Sequence, residues 1–212
     1  MDIERHTSPS DSRNDDYAMC DSDGDSLPSP SEVIIDESGD AVVIAKTDGA
    51  TRSFIAYSRA FALFCEPWKS MVKYRASMGT NVSASTSRME FTLEDDDWCA
   101  LELVLRIAHL QFDRISSSFS LADLLQLSVL TDKYQATQIV QPWVAGWLRT
   151  SWDISSAAQK IQHIWVAWEY GLAMEFESLV SALVFGAETN EYGTALLYEG
   201  KALQDQMPPG LV

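Results

Sequence analysis

FTLEDDDWCALELVLRIAHLQF, residues 91–112, decides the fold. It opens as a strand, because Met89-Glu90-Phe91-Thr92-Leu93 alternates apolar with polar. It continues as a helix from Asp97 on. Trp98, Leu101, Val104, Leu105 and Ala108 share one face at helical spacing, while Leu103, Ile107 and Leu110 cover much of the other. A helix apolar nearly all round belongs in the middle of a core. Only Glu102, Arg106 and His109 make a narrow polar stripe. Glu102 precedes Arg106 by four residues, the favourable order for an ion pair on a helix.

Upstream, Val33-Ile34-Ile35 and Val42-Val43-Ile44 are β-branched runs separated by the turn signal Asp36-Glu37-Ser38-Gly39-Asp40. The pair reads as a β-hairpin. A second turn, Thr47-Asp48-Gly49, leads to a third strand from Arg52 to Tyr57, completing a small antiparallel meander. Ser58 is placed to cap a helix through Phe61 and Phe64. Pro67 sits at the first position of a further short helix with Trp68, Met71 and Val72. Residues 76–88, rich in Ser, Thr and Ala, read as a loop. Residues 1–31 are rich in Ser, Asp and Pro and hold almost no aliphatic side chains. Such a segment cannot bury enough apolar surface to offset the entropy of ordering it, so a disordered tail is expected.

Downstream the pattern stays helical. Ser120 and Asp123 have capping-box spacing ahead of Leu124, Leu125, Leu127 and Val129. Thr137 is placed to cap a helix through Ile139, Val140, Trp143, Trp147 and Leu148, with Pro142 bending its start. A further pair follows at about 155–170 and 172–186, divided at Gly171. A last, weak helix is expected over 192–206. The fold class read from this order is α+β: a helical bundle with a small, mainly antiparallel sheet, followed by additional helices. The organisation is a tail to residue 31, a domain over 32–150 and a helical extension over 151–212.

Three stretches carry a family resemblance. They are Gly39-Asp40-Ala41-Val42-Val43-Ile44, FIAYSRAFALFCEPWKSMV at 54–72, and residues 91–112 quoted above. LADLLQLSVLTDKYQATQIVQPWVAGWL at 121–148 extends them. In order and spacing they resemble the BTB/POZ domain, in the form common in fungal proteins. The resemblance implies a protein-docking unit that often homodimerises, with residues 32–57 and the helix at 97–110 near the dimer side. Some members are substrate adaptors for cullin ubiquitin ligases and others recruit transcriptional partners. This sequence departs from the family at Ser58-Arg59, where a His-Lys pair is common. Cys65-Glu66-Pro67-Trp68 also replaces a Ser-Pro-Val-Phe type sequence. Cullin-binding members tend to carry an apolar-x-Glu motif in the loop before the fourth strand. The loop at 76–88 has no acidic residue, which makes a cullin the weaker expectation.

Composition narrows the chemistry. The chain has 31 Asp and Glu against 15 Lys and Arg, a formal charge of -16, which would repel a nucleic-acid backbone or an anionic membrane. No direct nucleic-acid contact and no membrane span are expected. Cys20, Cys65 and Cys99 are far apart and odd in number, so reduced thiols in cytoplasm or nucleus are expected rather than a disulfide framework. Glu94-Asp95-Asp96-Asp97 reads as carboxylates favoured at a helix N-terminus rather than a metal site. Asp21, Asp23, Asp25 and Glu32 mimic a calcium loop, but Ser26 stands where glycine is needed. Ser8-Pro9 and Ser29-Pro30 are candidate phosphorylation sites. The histidines are His6 in the tail and His109 and His163, read on polar sides of helices; none sits near a nucleophile setting. No cofactor, metal or catalytic residue is expected. The expected function is protein-protein interaction, with self-association or scaffold assembly. The candidate interaction residues are Val42, Ile44, Trp98, Trp165 and Trp168. The Trp143/Trp147 and Trp165/Trp168 spacings put each pair on one helix face, fit for core packing or for a partner.

Overall fold

The computed structural model describes residues 32–47, 50–78, 88–150, 156–203 and 207–211. The expected tail, its candidate phosphorylation and calcium-loop residues, and most of the 76–88 loop lie outside the described residues. The fold is mixed α+β, with seven α-helices and two small sheets among those described. The main sheet contains β1 (Glu32–Ile34), β2 (Ala41–Thr47), β3 (Ala50–Ala56) and β4 (Met89–Glu94), in the order β1-β3-β2-β4.

The expected hairpin between the first two β-branched runs does not form. β2 pairs antiparallel with β3, from Ala41↔Ala56 to Thr47↔Ala50, and β1 lies on the far side of β3, parallel to it. The cause is local. The Ile35 and Asp36 amides both donate to the Ile55 carbonyl, and a turn closes from Gly39 N to Asp36 O. The chain thus crosses the end of β3 instead of reversing beside β1. Gly39 makes the crossing possible: a Cβ there would lie 2.6 Å from the Ala56 carbonyl oxygen. β4 adds to the other side of β2 in parallel, with Val43↔Phe91 and Ala45↔Leu93 in register.

Alternation sorts the two faces of this sheet. Ala41, Val43, Ala45, Phe54, Ala56, Phe91 and Leu93 point inward and are buried. Against them lies α3 (Trp98–Ala108), whose Leu101, Leu103, Val104, Leu105 and Ile107 are all buried, as its pattern demanded. Asp97 caps it, accepting from the Ala100 amide at 2.8 Å. α1 (Ser58–Ala62) and α2 (Glu66–Ser77) contribute Phe61 and Trp68, whose rings meet edge to face at 5.1 Å. Ser58 does not cap α1 with its own side chain. Its amide and hydroxyl both donate to the Asp40 carboxylate, at 2.6 and 2.9 Å, so a distant carboxylate holds the helix start.

α4 (Leu121–Tyr134) begins with the expected capping box of Ser120 and Asp123. α5 (Thr137–Thr150) contains Pro142. α6 (Ala157–Glu169) packs on α4, and α7 (Ala173–Gly186) packs on α6. Gly171, with φ of 67°, ends α6 as read from the sequence. The expected helix over 192–206 is instead a second sheet, β5 (Ala187–Thr189), β6 (Leu196–Tyr198) and β7 (Lys201–Ala202), all antiparallel. Asn190 explains it. Its side-chain oxygen accepts from the Thr194 and Ala195 amides and its backbone pairs with Ala195, so the chain reverses before a helix can nucleate. Tyr198, Leu183, Ile164 and Ala157 form a second, smaller core.

Leu105 is fully buried at the centre of the main core. Leu105→Ala should cost about 2–5 kcal/mol in urea unfolding. Leu105→Asp, which buries an unpaired charge, should leave no folded protein by circular dichroism.

Candidate interaction surfaces

The run Glu94-Asp95-Asp96-Asp97 divides into separate roles. Glu94 and Asp95 are exposed, Asp97 caps α3, and Asp96 is buried rather than solvated. The backbone turns inward at Asp95, which adopts φ of 62°. Asp96 accepts from the Tyr134 hydroxyl at 2.5 Å and from Lys133 Nζ at 2.7 Å. Its carbonyl accepts from the Thr47 hydroxyl. Burial and the neighbouring Asp96 push the Tyr134 phenol well above its ordinary range. The Cys65 thiol donates to the Tyr134 carbonyl and is pushed up by burial. Cys65 is a free thiol, whereas Cys99 is disulfide-bonded, contrary to the expectation of three reduced thiols.

A second carboxylate, Glu169, had no signal in the sequence. It accepts from the hydroxyls of Thr131 in α4 and Thr137 in α5, so Thr137 serves α6 rather than capping its own helix. Burial raises the Glu169 carboxyl, and the two hydroxyls partly offset that. His163, read from the sequence as lying on a polar side, is buried, and burial lowers its imidazole against the opposing pull of Glu175. His109 keeps to the polar stripe. Its Nε2 accepts from the Tyr57 amide while Nδ1 faces the Leu105 carbonyl at 2.7 Å, as in a neutral ring protonated at Nδ1.

The sequence-derived interaction residues fall on separate surfaces. Val42 and Ile44 are half-buried on the outer face of the main sheet. Trp98 lies on the opposite, inner side, half-buried, with the Arg52 guanidinium 3.9 Å above its ring. Arg52 also faces Glu102 at 3.5 Å, and Arg106 donates to Glu102 at 2.6 and 2.9 Å. Trp98 is thus committed to a charged cluster within the fold. Trp165 and Trp168 lie together on α6, rings 5.2 Å apart, both half-buried. The Trp165 ring packs against the main core, and its buried indole nitrogen has no hydrogen-bond partner. Trp147 is buried and stacks on Trp143, as in core packing. A cavity of about 340 Å³ next to Ile34 is lined by Arg106, Gln111, Asp113 and Arg114. Its Arg106 is already engaged by Glu102 and Gln111.

Two apolar faces are candidates for a partner. Across the outer sheet face, ladder pairs set Ile34, Ile55 and Val42 side by side, Ile34 exposed, Val42 half-buried and Ile55 buried between them. On α7, Met174, Val184 and Phe185 are open to solvent. The α7 residues were missed because periodicity shows where the apolar side chains lie, not which of them a neighbour covers. The signal was present in AMEFESLVSALVFG, which places large apolar residues on more sides than one neighbouring helix can cover. Among the described residues no cluster of His, Cys, Asp and Glu could hold a metal, and no helix is long and apolar enough to cross a membrane. No protein-family model matches the chain, and no curated protein is similar to it.

The raised Glu169 carboxyl makes a pH prediction. A carboxyl raised in the folded state favours folding at low pH, and that contribution is lost as pH rises through the folded value. Glu169→Gln keeps an acceptor for both hydroxyls without the charge. Relative to this variant, the native chain should lose stability as pH rises above about 4.5, read by urea unfolding at acid and at neutral pH.

Proposed function

We propose that the chain is a non-enzymatic protein-docking module of the BTB/POZ type, which associates with itself or with scaffold partners through the outer face of its main sheet. One observation carries this reading. The row Ile34, Ile55, Val42 runs across three strands, with Ile34 exposed, Val42 half-buried, Ile55 buried between them, and half-buried Ile44 two residues further along β2. Ile34 is 55% exposed, an unusual position for a β-branched side chain on an edge strand. Glu32, Lys46, Glu90 and Thr92 surround the row, an apolar centre with a polar rim. Such a patch suits another protein surface better than a small substrate, which needs a concave site with convergent polar groups.

The order of elements also supports the reading. The β2-β3 hairpin, the helical pair, the parallel return of β4 and the buried α3 follow one another as the family resemblance implies. An intracellular setting, in cytoplasm or nucleus, goes with this proposal; the buried free thiol of Cys65 fits it, whereas the disulfide of Cys99 argues for an oxidising setting. The patch is modest in area, so the affinity is expected to come from a few aliphatic contacts rather than from extent.

Light scattering on the full chain tests self-association. The native protein should dimerise at high micromolar concentration. Ile44→Glu, at a half-buried outward position, should weaken that association at least tenfold with an unchanged circular dichroism spectrum. A native chain that stays strictly monomeric, or a variant that associates as tightly as the native chain, would sink the self-association part.

A further inference from the structure

Three of the large apolar side chains that the fold leaves open share one element, α7, remote in sequence from the sheet patch. Phe185 is 91%, Met174 83% and Val184 64% exposed. At 100° per residue, Met174, Ser178, Ser181 and Phe185 lie on a single stripe, and the buried Leu183 lies opposite it. The stripe has large residues at its two ends and serines between them.

That arrangement is self-complementary. We propose that α7 pairs antiparallel with α7 of a second copy, across a two-fold axis passing between Leu179 and Val180. The axis sets Met174 of one copy opposite Phe185 of the other, twice, and Ser178 opposite Ser181, twice. The serines let the two backbones approach, and each large end fills space beside the other's serines. A two-fold contact of this kind closes on itself and needs only one patch.

Charge favours the same occupant. Glu177 is the one charged residue among the exposed positions of α7. In this register it lies level with Ala182 of the other copy and close to Val184, and the two Glu177 side chains stand about 7.5 Å apart along the axis, at 1.5 Å per residue. Two strongly acidic chains can thus meet here without opposing carboxylates. A basic helix would find only one carboxylate to recognise. Residues 1–31, with eight Asp and Glu, two Arg and few aliphatic side chains, have little to fill the stripe.

Area sets the strength. Three such side chains offer roughly 400 Å² per copy, taking about 150–250 Å² for a large aromatic. That is about half of the ~800 Å² each partner gives to a standard interface. The contact is therefore weak and concentration-dependent. The net charge of -16 opposes it from a distance, so salt should strengthen it.

Sedimentation equilibrium of the full chain, from about 10 μM to about 1 mM, tests this over the range of a weak interface. The native chain should show an association step that tightens with added salt. Phe185→Glu and Met174→Glu should each weaken that step at least tenfold. Both positions are open to solvent, so the fold should survive, and circular dichroism checks that it does. No step in the native chain, a step unchanged in both variants, or a step weakened by salt each overturns the proposal. Ile44→Glu separates it from the sheet interface. Association lost in Ile44→Glu but kept in Phe185→Glu removes the α7 contact and leaves the sheet reading standing; the reverse pattern does the opposite.

Discussion

Everything in the main core is arranged around one demand: α3 must be buried on nearly every side. Its apolar residues leave only Glu102, Arg106 and His109 to face polar partners. The sheet meets the helix with small residues, Ala41, Ala45 and Ala56, and Ala100 of α3 is likewise fully buried. Small residues allow a close approach, and close approach is what gives protein cores their density. α1, α4 and α5 close the remaining sides. The polar stripe finds partners within the fold: Glu102 accepts from Arg106 and lies 3.5 Å from Arg52, Arg106 also donates to Gln111, and His109 accepts from the Tyr57 amide, although Glu102 Oε2 is left without a hydrogen bond.

Two carboxylates, Asp96 buried and Glu169 half-buried, then fix how the pieces join. Asp96 binds Tyr134 and Lys133, so the turn between β4 and α3 is tied to the end of α4. Glu169 binds Thr131 and Thr137, so the end of α6 is tied to the joint between α4 and α5. Burying a carboxylate is costly unless its lone pairs are satisfied, and a satisfied one admits few alternative arrangements. The later helices are therefore held in a defined place. That placement turns one side of α7 toward α6 and leaves the other toward solvent.

The chain consequently has two outward apolar faces on separate elements, one on the sheet and one on α7. They differ in kind. The sheet patch is β-branched and flat, bordered by charges of both signs. The α7 stripe is narrow, with large side chains at its ends. If both faces bind copies of the chain, the two contacts together build assemblies larger than a dimer, whereas either alone closes at two. The strong acidic charge would limit such growth at low salt and relax that limit as salt rises.

What the sequence determined by itself was whatever a local period or cap specifies. α3 and its Asp97 start, the Ser120/Asp123 box, the helix end at Gly171 and the strand at 89–94 are all legible, because neighbours within a few residues supply the reason. So was the α+β class, from the change of period along the chain. Tertiary structure decided the rest. β1 pairs with β3 and not β2 because Ile55 takes its amides and Gly39 lets the chain cross. Asp96 and His163 are buried because residues far off in sequence enclose them, and Trp98 is occupied by Arg52. A hydrophobic period states which side chains want cover. It does not state which partner supplies it, and that is why the open face of α7 became visible only once α6 was seen to cover the other.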